Sequence, residues 1–203
     1  NYPDFLPVQE PSYYETLLFG PDVAGERPLT PQGTPYFGSA TAWFDHISGG
    51  AFQLTGFVHP QSFTAPEPFT LVLARHYTGE QDWNESVRQD ALNVLGRADD
   101  ETSVSTQALM IIHNAPAPSL GLSWEEGRRD IHVIFVHGSF DGIDATPLGV
   151  FTHELGHMFL NQPDRYLFEW GDLGQWDNMG DNYGHFPVGY GSPGRVDAGW
   201  AEW

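Results

Sequence analysis

Apolar positions along this chain change their period several times, and the changes predict its elements. At residues 39–47, Ala42, Trp43, Phe44 and Ile47 recur at helical spacing, and Ser48-Gly49-Gly50 stops the helix. The next stretch, 52–58 (FQLTGFV), alternates and predicts a strand. Residues 69–74 (FTLVLA) form a short apolar run of strand length, and 82–95 place Trp83, Val87, Ala91, Val94 and Leu95 on one helical face. Two further strands are predicted at 108–113 (ALMIIH) and 131–137 (IHVIFVH). Between them, 115–130 carry Pro116, Pro118, Gly121 and Gly127 and read as a loop. This alternation predicts a mixed sheet with helices packed on it.

The two ends of the chain have less pattern. Residues 1–35 hold seven prolines and no sustained period, which predicts an extended arm ahead of one domain at 36–203. A helix at about 147–160 has clear signals: Thr146 to cap it, Pro147 at its first position, and Asn161 and Pro163 to end it. Leu148, Phe151, Leu155 and Phe159, with Met158 to one side, give it an apolar stripe. Residues 163–203 are glycine-rich and carry Trp170, Trp176, Trp200 and Trp203, which predicts an irregular segment held by aromatic packing.

Composition narrows the chemistry. A chain of 203 residues, 40% apolar, can bury one proper core, and a single compact domain is expected. No run approaches the ~18 consecutive apolar residues that a bilayer crossing needs, so no membrane insertion is expected. The chain starts at Asn1 with no basic-then-apolar leader, which predicts that any leader has already been removed. Cysteine is absent, which excludes thiol catalysis, disulfides and cysteine-based metal sites together. Any bound metal must be held by His and carboxylates. Twenty-seven acidic residues against eight basic ones give a formal charge of −19, and every basic residue is Arg. Such a surface repels phosphate backbones and anionic headgroups, so nucleic acid is not an expected partner.

Against that background one pentapeptide stands out. His153-Glu154-Leu155-Gly156-His157 is an H-E-x-x-H pattern lying inside the predicted helix, the context in which the pattern has meaning. At i and i+4 the two imidazoles leave the same helix face and can share one ion, with zinc bonds of about 2.0–2.1 Å. Glu154 is rotated from them by about a hundred degrees, so it flanks the metal and can act as general base toward a water. A chance pentapeptide with surface histidines is the competing explanation, and the capped amphipathic helix argues against it. With no cysteine in the chain, a third ligand must be His, Asp or Glu.

The neighbouring motifs extend the pattern. HELGHMFLNQPDRY is followed by Trp176-Asp177-Asn178-Met179-Gly180 and by Ala198-Gly199-Trp200, and WFDHISGGAFQLTGFV stands upstream. Over about residues 39–200 the chain resembles the immune inhibitor A-like metallopeptidases, secreted zinc endopeptidases with H-E-x-x-H-x-x-G-x-P-D-x-Y, a W-D-x-M turn and a closing G-W. That resemblance implies an α+β, metzincin-like zincin domain, with a mixed twisted sheet, an active-site helix and an irregular C-terminal segment containing a Met-turn at Met179. It also implies Asp164 as the third ligand. The family spaces that aspartate six residues after the second His, whereas Asp164 lies seven after His157, and Leu160 stands where the turn glycine is expected. The extra residue is absorbed if Asn161 takes a left-handed turn. Glu169, Asp172 and His185 are the alternatives.

The functional expectation is a secreted, monomeric zinc endopeptidase acting on protein or peptide substrates, with Glu154 as general base. A zinc hydrolase of another amide or ester is the nearest enzymatic alternative, and a non-catalytic zincin-like adhesion module is the alternative from another class. Tyr166 and Tyr183 are candidates to stabilise the oxyanion of a tetrahedral intermediate. Calcium has no clear loop, since Asp99-Asp100-Glu101 lacks the spacing. The remaining histidines, His46, His59, His76, His113, His132 and His137, are assigned no role.

With −19 formal charge and no lysine, self-repulsion is largest at low ionic strength, where the Debye length is ~30 Å at 0.01 M against ~3 Å at 1 M. The melting temperature should therefore rise with added NaCl. A flat or falling curve in a salt series would show that the acidic groups are paired or too dispersed to matter.

Overall fold

The computed structural model describes residues 9–21, 38–62, 64–68, 70, 71, 74, 75, 93, 108–114, 120–126, 129–137, 146–165, 176–180 and 187–201. The chain divides into two compact units, one of Asn1–Val8 with Gln61–Ser139 and the other of Gln9–Pro60 with Phe140–Trp203. The first unit interrupts the second in the sequence.

The interrupting unit carries a three-stranded sheet in the order β1-β3-β2, with β1 at Ala108–His113, β2 at Leu120–Glu126 and β3 at Arg129–His137. β1 pairs with β3 in parallel, from Ala108 opposite His132 to His113 opposite His137. β2 pairs with β3 antiparallel, from Glu126 opposite Arg129 to Leu120 opposite Phe135. The loop expected at 115–130 thus contains an edge strand. Leu120, Leu122 and Trp124 alternate with Gly121, Ser123 and Glu125, and this period-two signal was masked by the flanking prolines and glycines. Where a strand was expected at 69–74, residues 70, 71, 74 and 75 are helical. A short apolar run does not distinguish strand from helix by periodicity. The helix expected at 82–95 lies outside the described residues, apart from Asn93, which is helical.

The second unit is helical. α1 spans Pro11–Phe19, α2 Ala40–Ser48, α3 Leu148–Leu160 and α4 Ser192–Asp197. α1 falls where an extended arm was expected. Pro11 occupies its first turn, where a missing N–H does no harm, and Tyr14, Leu17 and Leu18 are buried. α2 starts at Ser39, whose Oγ accepts from the Ala42 N–H at 3.1 Å, and stops at Gly49, which is left-handed at φ 64°. Residues 52–58 form no strand. Their backbone groups are met instead by side chains of the helices and their ends: the Phe52 N–H by Ser48 Oγ, the Leu54 carbonyl by Thr41 Oγ1 and the Val58 N–H by the Glu15 carboxylate.

α3 begins one residue later than its signals suggest. Pro147 keeps a proline φ of −59° but an extended ψ of 148°, so it flanks the helix, and no side chain caps it. The Pro147 carbonyl takes the Val150 N–H at 3.1 Å and closes the first turn. Residues 148–156 are all buried, including the face that carries His153 and Glu154, while Phe159 is 42% exposed. The stripe expected to bury one side therefore understates the burial at the start of the helix and overstates it at the end.

Aromatic rings fill the space around α3. Tyr190 stands edge-on to Trp43 at 5.4 Å and stacks with Trp200 at 5.8 Å, and Phe52 meets both Phe159 and Trp200. The Trp43 indole N–H donates to the Pro187 carbonyl and the Tyr190 hydroxyl to the Thr152 carbonyl, each at 3.1 Å, so both buried polar tips are paired. Of the four C-terminal tryptophans, Trp200 packs as expected, Trp176 is 86% exposed, and Trp170 and Trp203 lie outside the described residues.

Gly156 makes the closest approach in this core. A Cβ built on it would lie 2.4 Å from Tyr190 Oη and 3.0 Å from Met179 Sδ. Gly156→Ala gains ~0.5–1 kcal/mol in helix propensity but overpacks a filled site, which costs typically ~1–3 kcal/mol. Net destabilisation in a urea melt is the expected result. A more stable variant would show that Tyr190 and Met179 yield freely.

Candidate metal centre

Three side chains of the helical unit converge. His153 Nε2, His157 Nε2 and Asp164 Oδ1 form a triangle whose edges are each 3.1 Å. Among the described residues these three are the one His/Asp/Glu group arranged to hold a metal ion. The two rings come from the predicted i and i+4 positions on α3. Asp164 arrives because the chain reverses at Asn161, whose φ of 49° is the sole left-handed value among the described non-glycine residues. The Gln162 N–H closes the reversal onto the Gly156 carbonyl at 3.2 Å, two residues before Asp164. Asn161 thus takes the left-handed turn that brings Asp164 back, since Asn tolerates this conformation where most residues do not.

The protonation pattern of the rings follows from their second nitrogens. His153 Nδ1 donates to the Asn178 carbonyl at 2.8 Å and His157 Nδ1 to the Gln162 carbonyl at 2.6 Å. Each imidazole therefore carries its proton on the outer nitrogen and turns a lone pair inward from Nε2. Two lone pairs and a carboxylate oxygen meeting at 3.1 Å repel one another unless a proton or a cation lies between them. A tetrahedral ion with bonds of about 2.0–2.1 Å has ligand-to-ligand edges of about 3.3–3.4 Å, so the triangle needs to open only slightly to accept one. The residues present fit a metal ion.

Burial of the centre is one-sided. The His153 side chain is 4% exposed, whereas those of His157 and Asp164 are 30% and 29% exposed, so the triangle is reached from the His157 and Asp164 side. Beneath His153 lies the turn at 176–180, with Asp177, Asn178 and Met179 fully buried. Asn178 supplies its carbonyl to His153 and its side-chain amide to Thr152 Oγ1 at 3.0 Å. Asp177 accepts the N–H groups of Met179 and Gly191 at 2.8 and 2.9 Å and so ties the turn shut. Met179 sits against Gly156 on the same helix.

The electrostatics of the metal-free centre agree with a cation site. Burial opposes a charge on His153, but Asp164, the Asn178 carbonyl and Glu154 outweigh it and raise its pKa above the usual imidazole value. Burial and the neighbouring His153 lower that of His157. Glu154 is pushed up to about 7, mainly by burial, with His153 opposing the rise and Asp164 adding to it.

The structure brings His153, His157 and Asp164 together, with Glu154 beside His153 on α3. Sequence reasoning missed the outer contacts: the Gln162 carbonyl on His157, and Arg165, which joins the 161–165 segment to the turn. Carbonyl contacts carry no side-chain signal that a sequence pattern could display. Glu169, Asp172 and His185, the alternative ligands, and Tyr166 and Tyr183, the oxyanion candidates, lie outside the described residues, as do residues 99–101. Among the described residues no helix is long and apolar enough to cross a membrane. Compared with protein-family models, with curated proteins and with solved structures, the chain matches none of them.

The raised pKa of Glu154 has a thermodynamic sign. A carboxyl with a folded pKa of about 7 and an ordinary value of 4.5 contributes stability that is fully present below 4.5 and lost as pH rises through 7. In metal-free protein the loss amounts to about 3 kcal/mol. Glu154→Gln removes this titration, so its denaturation free energy should fall less between about pH 4.5 and 7 than that of the parent. Parallel curves for the two proteins in chelator would show that Glu154 is not held in a desolvated site.

Proposed function

We propose that this chain is a zinc-dependent endopeptidase of the zincin type, secreted and acting on exposed peptide segments. The observation that carries the reading is the triangle of His153, His157 and Asp164, open to solvent on one side and flanked by a buried glutamate. Structural zinc sites are closed by four protein ligands, while catalytic sites use three and leave a position for water or substrate. Two imidazoles and one carboxylate suit zinc, and the absence of cysteine removes the softer alternatives. The pattern of motifs from the zinc helix to the Met179 turn supports peptides as substrates, by its resemblance to the immune inhibitor A-like enzymes.

Zinc, when bound, supplies Lewis acidity toward the scissile carbonyl and lowers the pKa of water to ~7. The chain's own residues do the rest. The Asn178 and Gln162 carbonyls hold the rings with their lone pairs inward, and Asp164 adds a negative charge that offsets part of the cation's. Glu154 accepts the proton of the attacking water and delivers it to the leaving amine, and its desolvated carboxyl suits proton exchange near neutrality. A purely adhesive module needs the two imidazoles but has no use for a buried glutamate beside them.

Metal analysis and casein hydrolysis on the same preparations test the proposal. The parent protein should hold about one zinc, His153→Ala and His157→Ala should each lose it, and Asp164→Ala should bind it much more weakly. Glu154→Gln should keep the metal and the fold while hydrolysis falls by at least ~10²-fold. Zinc content unchanged in the histidine variants would remove the metal centre, and parent-like turnover in Glu154→Gln would reduce the motif to a structural role.

A further inference from the structure

Asp164 reaches the two imidazoles from a segment that has left the helix, and something must hold that segment in place. Arg165, the next residue, ties it to elements further along the chain. Its backbone N–H donates to the Met179 carbonyl at 2.7 Å, which joins the segment to the turn beneath His153. Its guanidinium turns inward and is only 11% exposed. Nε lies 3.6 Å from Oδ2 of the fully buried Asp177, and Nη2 donates both to Gln162 Oε1 and to Asp197 Oδ2, each at 3.2 Å.

Each of these partners leads back to the centre. Gln162 is 2% exposed, its amide donates to the Gly194 carbonyl at 3.1 Å, and its own carbonyl fixes the proton on His157. Asp177 ties the turn whose next residue, Asn178, fixes the proton on His153. Asp197 belongs to α4. One side chain thus connects the segment carrying the third ligand to α4, and it touches Gln162, whose carbonyl orients His157, and Asp177, the neighbour of Asn178, whose carbonyl orients His153. Lysine has no planar fork to span such partners, which makes arginine the residue suited to the place.

We propose that Arg165 is a positioning residue for the metal centre: it clamps the 161–165 segment against the 176–180 turn, so that Asp164 meets His153 and His157. This rests on reading the triangle as a metal site. Arg165 does not touch the ion; it acts through Asp164. Outer partners of this kind typically alter metal affinity 10–100-fold when removed.

The test is a double-mutant cycle on the full chain, with Zn2+ affinity measured by competition against a chromophoric chelator and Co2+ bound as a spectroscopic probe. Arg165→Met should weaken Zn2+ binding about 10–100-fold, and it should shift the Co2+ visible spectrum toward that of Asp164→Ala. In the Asp164→Ala background the same substitution should change affinity little, because the ligand it positions is already gone. Arg165→Lys keeps a positive charge beside buried Asp177 and serves if the Met variant does not fold. It should show an intermediate loss that likewise disappears without Asp164. Undiminished affinity in folded Arg165 variants, or equal losses in both backgrounds, would overturn the positioning role. A parent protein that binds neither ion would overturn the metal centre itself, and the positioning role with it.

Discussion

At His153 and His157 the backbone does the orienting. Each ring gives its Nδ1 proton to a carbonyl, that of Asn178 in one case and that of Gln162 in the other, and the inner nitrogens are left with lone pairs aimed at one point. Without those two hydrogen bonds the rings could rotate or change tautomer, and three converging acceptor atoms would have no reason to stay within 3.1 Å of one another. The rest of the helical unit follows from the need to hold those carbonyls. Gln162 is placed by the left-handed Asn161, and Asn178 by a turn that Asp177 closes. The turn in turn needs Gly156 to be bare, so that Met179 and Tyr190 can lie against α3.

Glu154 shows what such a centre demands of the fold. Burial raises its pKa because the charged form loses hydration, and the general-base role proposed for it would draw on that same shift near neutral pH. The packing that makes the residue useful therefore opposes folding at the pH where it would be used. Aromatic contacts around Tyr190, Trp43 and Trp200 supply compensating burial close by.

The parts of this structure that could be read in the sequence are those in which a side chain's identity carries the information locally. The imidazoles at i and i+4, the Gly49 stop and the Asn161 reversal all belong to this group. So do β1 and β3, whose β-branched runs are unambiguous. Features set by distant partners were not legible. Residues 52–58 alternate like a strand, yet Thr41, Ser48 and Glu15 satisfy their backbone groups and no ladder forms. β2 was hidden by Pro116 and Pro118 ahead of it and by Gly121 and Gly127, and α1 by the prolines around it. The division into two units was also invisible, because length and composition say nothing about which segments gather together.

The three acceptor groups lie on one short stretch from His153 to Asp164, while Asn178, Asp177 and Asp197, which help to hold them in place, lie further along the chain. A stretch so local in sequence can grip an ion before the rest of the chain has assembled around it. The denatured ensemble then retains some affinity for the ion, and ligand-linked stabilisation depends on the ratio of native to denatured affinity. Metal would thus stabilise this protein by less than its native affinity alone suggests. It would also favour the left-handed turn at Asn161 that brings Asp164 back to the helix.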